Sequence, residues 1–129
     1  MSLTEQLTSP IEEIFHFVRL KFRSIDDDVL RDIIVSHWFY GTIDAVYKED
    51  RIVACVRWNV SHDGKTFDVL DLVVAPGEHG FILMKHLIAR NWHRFPTVDY
   101  IKFERQDKYP NRGWRLYAIR DLLKVGGHA

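Results

Sequence analysis

The feature that most constrains the fold is a strand, a tight turn, a helix and a second strand in direct succession over residues 66–104. Residues 69–74 form a nearly unbroken apolar run, which is typical of a central strand covered on both faces. A Pro-Gly pair at residues 76–77 stops that strand, and Gly80 opens a helix that leads to an alternating strand over residues 98–105. Because a strand, helix and strand in succession form a crossover, this segment predicts two parallel strands in one sheet.

Two amphipathic helices precede this unit. Ser9 and Pro10 have the form of a helix start, and apolar residues then repeat at helical spacing over about residues 10–22. The second helix is predicted from the acidic residues 26–28 to Gly41. Its buried face is predicted to carry Leu30, Ile33, Ile34, His37 and Trp38.

Between the helices and the crossover, the hydrophobic period changes from helical to alternating. Three strands over residues 44–47, 51–60 and 66–74 are joined by short polar turns, which is typical of an antiparallel meander. After the crossover, a turn at residues 108–113 leads to a last strand over residues 114–119. The order helix, helix, strand, strand, strand, helix, strand, strand predicts an α+β fold, with a mixed, mostly antiparallel sheet flanked by helices.

Composition excludes several classes of protein. The 129 residues are 47% hydrophobic, which is enough for the core of one domain and too much for a disordered chain. The 18 basic side chains balance the 18 acidic ones, so no overall charge draws the protein to nucleic acid or to a membrane. The two signs are separated, however: residues 1–50 carry five basic and ten acidic side chains, and residues 85–129 carry ten basic and four acidic. We therefore expect an anionic ligand to bind the C-terminal half.

The cellular setting is predicted from what the sequence lacks. The single cysteine, Cys55, can close no internal disulfide, which fits a reducing compartment. The first thirty residues have no cationic start followed by an uninterrupted apolar stretch, and no run approaches the roughly 20 apolar residues that span a bilayer. We expect a cytoplasmic protein with no membrane segment.

Two groups of side chains have both a functional and an ordinary interpretation. Residues 38–40 are Trp, Phe and Tyr, which could line an acceptor pocket but are expected to pack in the core. His79, His86 and His93 recur every seven residues along the third helix. Seven residues rise about 10.5 Å, whereas zinc–nitrogen bonds are about 2.1 Å long, so these histidines cannot share one ion and no metal site is predicted.

The order of elements and the glycine turn resemble the GCN5-related N-acetyltransferase (GNAT) superfamily over about residues 10–120. That family has two helices, a three-strand meander, a turn that holds the acetyl-coenzyme A pyrophosphate, a helix and a parallel strand. The resemblance implies one GNAT-like domain over residues 1–129, with the helical pair at 9–38, the meander at 42–74, and the cofactor turn, helix and final strands at 75–120. This chain differs in lacking a first strand before the helices and in having a hairpin where the family has a helix after its fifth strand.

The family's cofactor turn reads Arg or Gln, two residues, Gly, one residue, then Gly or Ala. Matching Gly80 to the last of these assigns the backbone amides of residues 79–81 to the pyrophosphate, because a helix start presents N–H groups and a positive dipole end. The resemblance also implies that residues 72–74 contact the pantetheine arm. The cofactor-binding residues are thus predicted to be Leu72, Val73, Val74, His79, Gly80 and Phe81. The match places Glu78 at the first glycine and Ala75 at the Arg or Gln, which predicts weakened acetyl-coenzyme A binding.

Asp71 and Tyr117 are the candidate catalytic residues. Asp71 interrupts the apolar strand, where a half-buried carboxylate could act as general base toward an amine, and the resemblance implies this role for an acid on that strand. Pairing with an arginine, or capping of a loop, is the ordinary alternative. The resemblance further implies a tyrosine that protonates the departing thiolate, for which Tyr117 and Tyr109 are candidates, with cross-strand packing as the alternative.

The function implied by the resemblance is an acyl-CoA-dependent N-acyltransferase that moves an acetyl group to an amine of unidentified acceptor. One alternative is a non-catalytic GNAT-like interaction or structural protein, which Glu78 and Ala75 favour. The other is a nucleic-acid-binding module that uses a basic C-terminal hairpin. The basic side chains of this hairpin are Lys102, Arg105, Lys108, Arg112 and Arg115.

Overall fold

The computed structural model describes residues 3–104 and 114–126, with side chains for residues 10–103 and 115–124. Its helices are α1 (Leu3–Arg19), α2 (Asp27–Tyr40), α3 (Gly80–Asn91) and α4 (Ile119–Gly126). Its strands are β1 (Ile43–Lys48), β2 (Arg51–Val60), β3 (Thr66–Val74), β4 (Tyr100–Glu104) and β5 (Trp114–Ala118). A single 3-10 turn, Trp92–Arg94, extends α3. The predicted hairpin turn at 108–113 lies outside the described residues.

The sheet has the strand order β1-β2-β3-β4-β5. Three neighbouring pairs are antiparallel, and β3 and β4 are parallel, joined by α3 as a crossover. The predicted α+β class, the meander and the parallel crossover are therefore confirmed. No helix among the described residues is long and apolar enough to cross a membrane.

β3 and β4 pair at their first residues and then diverge. The paired residues run from Thr66 opposite Tyr100 to Asp68 opposite Lys102. Beyond them, β3 has no paired neighbour on this side within the described residues. We call the space along this unpaired edge of β3, toward the carboxyl ends of the two strands, the cleft.

Leu70 is 42% exposed, but Leu72 and Val74 pack in the core under α3 and Val73 packs in the core under α1 and α2. The expectation that the apolar run is covered on both faces is therefore confirmed except at Leu70.

A β-bulge in β3 decides which face of the sheet Asp71 lies on. Arg57 and Trp58, which are consecutive in β2, pair with Asp71 and Val69, so Leu70 is an extra residue between them. Strict alternation would place Asp71 on the same face as Val69, in the core under α3. The extra residue instead turns the Asp71 side chain toward α1 and α2, because a bulge re-aims the residues that follow it.

Two hydrophobic cores stabilise the sheet, one on each face. The core under α3 and α4 contains Trp58, Phe67, Leu87, Ile101 and Ile119 among its fully buried side chains. The core under α1 and α2 contains Ile14, Phe15, Ile34, Cys55 and Val73. Each face of the sheet is thus covered by its own layer of helices. The cleft lies in the sheet itself, where β3 and β4 are no longer paired.

The helices differ from the sequence predictions at two places. α1 begins at Leu3, so Pro10 lies inside it rather than at its first position. The Ser9-Pro10 pair is also typical of a helix start, where a proline costs no hydrogen bond, whereas inside a helix it removes one. The pair was therefore interpreted as the first residues of the helix. α4 was not predicted, because Ile119 and Leu122 are its only buried pair among the described side chains and so short a helix gives little periodicity. α2 ends as predicted at Gly41, whose φ of 69° is left-handed.

Candidate functional site

The turn between β3 and α3 has the geometry that its sequence predicts. Glu78 donates its backbone N–H to the Ala75 carbonyl over 3.2 Å. Gly77 has a φ of 86°, as the third position of a type II turn after a proline requires. This turn carries the chain directly from the end of β3 to the start of α3, beside the cleft.

Gly80 allows the start of α3 to lie against β3. A Cβ at this position would meet Val74 Cγ2 at 3.2 Å and Leu72 Cδ2 at 3.6 Å. The helix start therefore sits beside the carboxyl end of the strand, where its amides and positive dipole end adjoin the cleft. His79 is the N-cap, since its Nδ1 accepts from the Ile82 N–H over 3.3 Å. Its imidazole is thus turned into the first turn of the helix.

Glu78 does not present an unbalanced charge to this helix start. Its Oε1 lies 2.6 Å from Lys48 Nζ at the end of β1, and its side chain is 21% exposed. The ammonium group offsets the carboxylate that was expected to repel a pyrophosphate. Lys48 was not recognised as relevant from the sequence, because only the fold brings β1 to this turn.

The edge of β3 beside the cleft presents backbone groups. Ala75 donates its N–H to the Val53 carbonyl, so by alternation the backbone of Val73 also faces β2. The backbone of Leu72 and Val74 faces the open side. Lys21 Nζ lies 3.2 Å from the Leu72 carbonyl oxygen, to which it donates.

Aromatic side chains of α3, β4 and β5 pack together on the α3 and α4 face of the sheet, beside the start of α3. The Phe81 and Phe103 rings are 6.4 Å apart, and Phe103 stacks on Tyr117 at 5.4 Å with an interplanar angle of 17°. Tyr117 is half-buried and packs against the core under α3 and α4. It therefore lies on the opposite face of the sheet from the Asp71 side chain.

On the α1 and α2 face, four side chains form a continuous hydrogen-bonded chain. Arg57 donates to Asp71 Oδ2 from Nε over 3.0 Å and from Nη2 over 2.6 Å. Its Nη1 lies 3.2 Å from His37 Nε2. Because arginine can only donate, His37 Nε2 accepts, and its Nδ1 carries the hydrogen donated to Thr42 Oγ1 over 2.7 Å. Burial lowers the pKa of His37 and the Arg57 charge lowers it further, which favours this neutral form.

Arg57 and Asp71 are the two charged residues that line a pocket between the sheet and the two N-terminal helices. The pocket is small, with an enclosed space of about 30 Å³, which is enough for about two water molecules. Its other lining residues are Val18, Phe22, Ile25, Leu30, Ile33, Ile34, Ile43 and Cys55. Burial raises the pKa of the Cys55 thiol to about 12, so Cys55 is a neutral part of the wall rather than a nucleophile.

Solved structures with the same arrangement of elements are acetyltransferases. The structure of an aminoglycoside 6'-acetyltransferase type Ii superposes with a TM-score of 0.62 at 11% identity, covering 84% of this chain and 89% of that one. An aminoglycoside 6'-N-acetyltransferase complexed with coenzyme A gives 0.58 at 14% identity, over 71% of this chain and 53% of that one. The chain has the GNAT fold. The aminoglycoside 6'-N-acetyltransferase from Enterococcus faecium gives 0.57 at 9% identity, over 98% and 81%.

These likenesses concern the fold, since the identities are low. No protein-family profile matches the sequence, and no curated protein sequence matches it significantly. The GNAT fold nevertheless explains why the turn, the start of α3 and the edge of β3 meet at one cleft. Among the predicted cofactor residues, Leu72, Val74 and Gly80 border this cleft directly, whereas the Val73 backbone faces β2.

The structure adds Arg57 and His37 to the residues around Asp71. The sequence held no direct signal for Arg57. The register next to the turn, with Trp58 opposite Val69, would place Arg57 opposite Leu70, and only the bulge at Leu70 brings it opposite Asp71. His37 was predicted to lie on a buried helix face, without a partner. Only the GNAT fold, which brings the end of α2 over β2, places it against Arg57.

Residues 38–40 lie elsewhere than expected, and most of the basic hairpin lies outside the described residues. Trp38, Phe39 and Tyr40 are exposed, Phe39 to 83%, so the expectation that they pack in the core was wrong. The apolar face of α2 ends at Ile34 and His37, and the following residues point away from it. Lys102 pairs with Asp68 at 3.7 Å, while Arg105, Lys108 and Arg112 lie outside the described residues.

Proposed function

We propose that this protein is an acyl-CoA-dependent N-acyltransferase. The observation that carries this proposal is the cleft at which β3 and β4 diverge, with Gly80 holding the start of α3 against Leu72 and Val74. A GNAT-fold neighbour was solved as a complex with coenzyme A, which supports a cleft of this kind as a coenzyme A site.

The residues around the cleft fit the parts of acetyl-coenzyme A. The amides of residues 79–81 would bind the pyrophosphate at the positive end of α3. The backbone groups of Leu72 and Val74 would hydrogen-bond the amides of the pantetheine arm, as an added strand does at a sheet edge, with the arm taking the place of Lys21 Nζ at the Leu72 carbonyl. Lys48 offsets Glu78, so the negative charge expected to weaken binding is neutralised.

The charge distribution supports a reaction between an anionic cofactor and a cationic acceptor. The C-terminal half, which holds α3, β4 and β5, has the basic excess, and the N-terminal half, which holds α1 and α2, has the acidic excess. Lys85 Nζ lies 5.5 Å from the Phe81 ring centroid, on the first turns of α3. Each half therefore attracts the reactant that would lie on its side of the sheet.

The proposed reaction is direct transfer without a covalent enzyme intermediate. A bound thioester supplies an activated carbonyl carbon, whose bond to sulfur breaks as a bond to the amine nitrogen forms. Asp71 holds the amine and accepts the proton that it loses, and Arg57 keeps the carboxylate in place by donating to Oδ2. Tyr117 donates a proton to the departing thiolate from the other side of the cleft.

Thermal unfolding with and without acetyl-coenzyme A tests the proposed cofactor. Ligand at about a hundred times Kd stabilises the native state by roughly 2.7 kcal/mol, which for a domain of this size raises Tm by several degrees. ATP is the control for nonspecific nucleotide binding. Gly80→Val should abolish the shift, because its side chain would push α3 away from Val74 and Leu72. Absence of any shift at millimolar acetyl-coenzyme A would favour the non-catalytic alternative.

A further inference from the structure

β1 is the first strand of the sheet, so it has a neighbouring strand on one side only in the part of the chain that the structure describes. Trp58 donates its backbone N–H to the Thr42 carbonyl over 3.0 Å, so the backbone of Thr42 faces β2. By alternation that of Asp44 also faces β2, and that of Ala45 faces away from the sheet. An outward N–H and C=O on an edge strand can pair with a strand of another molecule.

Both outward groups of Ala45 are occupied by side chains. Its N–H donates to Asp44 Oδ1 over 2.8 Å, and its carbonyl accepts from Arg90 Nη2 over 2.7 Å. Arg90 lies in the last turn of α3, which thereby reaches the edge of the sheet. The two side chains therefore satisfy the backbone groups with which a further strand would have to pair.

Asp44 and Arg90 are held in this position by each other and by the end of α3. Arg90 Nε donates to Asp44 Oδ2 over 2.9 Å, and the buried Asn91 donates to the same oxygen over 2.7 Å. Asn91 Oδ1 accepts from Arg94 Nη2, which also donates to the Gly41 carbonyl over 2.9 Å. The end of α3 and the 3-10 turn after it thus fix the side chains along the first half of β1.

The second half of β1 is interrupted by a bulge between Val46 and Tyr47. A bulge disrupts the ladder and increases the local twist of a strand. Since β1 has six residues in all, its regular edge is confined to the segment around Ala45. Asp44 and Arg90 therefore protect the part of β1 that is best formed for pairing.

We propose that the outer edge of β1 is a pairing surface for a second copy of this chain, and that Asp44 and Arg90 keep it closed. Two copies of β1 match each other in antiparallel orientation about a twofold axis through Ala45, since each supplies the N–H and C=O that the other needs. The 18 basic and 18 acidic side chains leave no net charge that would keep copies apart. Protection of the edge by side chains thus takes the place of long-range repulsion. This inference does not depend on the proposed function.

A double variant, Asp44→Thr with Arg90→Ala, opens both outward groups of Ala45. Threonine suits a strand and alanine suits a helix, so both elements are kept. The matched control is Arg19→Ala with Asp27→Thr, which also removes one base and one acid, from an exposed ion pair. Sedimentation velocity over a range of protein concentrations measures self-association. We expect the Kd for self-association of the double variant to be at least about tenfold lower than those of the original protein and of the control, because a few backbone hydrogen bonds between copies supply a factor of this size.

Hydrogen exchange locates the contact between copies. The Ala45 amide of the double variant should exchange at least about tenfold more slowly in concentrated than in dilute solution, because it becomes paired between copies. Adding Ala45→Pro to the double variant removes the outward N–H and leaves the ladder with β2 intact, which an edge position permits. This triple variant should self-associate no more strongly than the original protein.

The inference fails if the double variant self-associates no more strongly than the control. It also fails if the Ala45 amide exchanges alike in concentrated and dilute solutions, or if the folded triple variant still self-associates. If melting curves show that the double variant is unfolded, Arg90→Ala alone decides, because this half-exposed side chain can be removed with the fold intact and its loss frees the Ala45 carbonyl. That variant should self-associate more strongly than the single variant Arg19→Ala, and an equal Kd for the two would reject the inference.

Discussion

The two faces of the sheet carry candidate sites of different construction. On the cleft side, the site consists mainly of backbone: a type II turn, the start of a helix and the unpaired edge of a strand. On the α1 and α2 side, it consists of side chains, with Arg57 between Asp71 and His37. A backbone site tolerates many sequences, whereas a side-chain site depends on a few residues. We therefore expect substitutions on the α1 and α2 side to change chemistry and those around the cleft to change affinity.

The largest expected effect is that of Asp71→Asn, which separates the two sites most sharply. The variant keeps the shape of the side chain and removes the proton acceptor, so turnover should fall by about 10²–10⁴-fold. The affinity for acetyl-coenzyme A should change little, because the carboxylate faces α1 and α2. Steady-state kinetics and cofactor titration measure the two quantities.

Asp68→Asn is the matched control for this variant. Asp68 lies on the same strand and pairs with Lys102 at 3.7 Å, away from the pocket lining. Its turnover should stay within about twofold of the original protein, as for a partly exposed ion pair. Equal losses for both variants would assign Asp71 a structural role. Their melting curves are compared first, since Arg57 loses its charged partner in Asp71→Asn.

A smaller effect is expected for Tyr117→Phe, which tests whether the cleft side also contributes chemistry. Phenylalanine keeps the stacking on Phe103, so the free energy of unfolding should change by less than about 1 kcal/mol. Loss of the hydroxyl should lower turnover by up to about 10²-fold, the lower end for a general acid. Unchanged turnover would leave Tyr117 as a packing residue, and the cleft as a binding site only.

The sequence predicted the backbone-built site better than the side-chain-built one. Pro76 and Gly77 specify a turn by themselves, and Gly80 specifies a close approach, because these residues act through local conformation. The partners of Asp71 were not predicted together. The contact between Asp71 and Arg57 depends on the bulge at Leu70, because the bulge moves every later side chain of β3 to the opposite face of the sheet. A bulge inside an apolar run cannot be recognised from the sequence pattern.

The same reasoning explains the errors outside the site. The short helix α4 and the early start of α1 depend on tertiary packing, which overrides local signals at helix ends. Residues 38–40 are aromatic, yet they lie beyond the end of the buried face of α2 and are exposed. The type of residue at a position therefore predicts its burial less well than the position's place in the helical period does.

Lys48→Gln tests the cofactor side through the charge of Glu78. The substitution exposes a carboxylate beside the start of α3, so the Kd for acetyl-coenzyme A should rise about two- to fivefold, as an exposed ion pair of up to about 1 kcal/mol allows. Calorimetry measures this change. The double variant Lys48→Gln with Glu78→Gln removes both charges and should return the Kd close to its original value. A double variant as weak as the single one would mean that Lys48 itself contacts the cofactor.

The smallest expected effect is a pH dependence of stability that arises from His37 on the α1 and α2 side. Its pKa in the folded protein is lowered from 6.5 by burial and by Arg57, so the unfolded chain binds the proton more readily. The contribution of the neutral imidazole to stability is therefore complete above the unfolded pKa, about 6.5, and is lost as pH falls toward the folded value. Protonation would also place a second cation against Arg57 Nη1, which donates to His37 Nε2 in the neutral form.

The variant His37→Gln tests this dependence. It keeps a side-chain oxygen that can accept from Arg57, and it does not titrate. Denaturant unfolding between pH 5 and pH 8 should show a steeper loss for the original protein than for the variant, by less than one proton bound on unfolding. Parallel curves would mean that His37 titrates alike in both states and that the Thr42–His37–Arg57 chain does not hold the imidazole neutral. A steeper loss of stability in the original protein would show that the side-chain site on the α1 and α2 side is coupled to the protonation of His37, whereas the backbone site at the cleft has no such group.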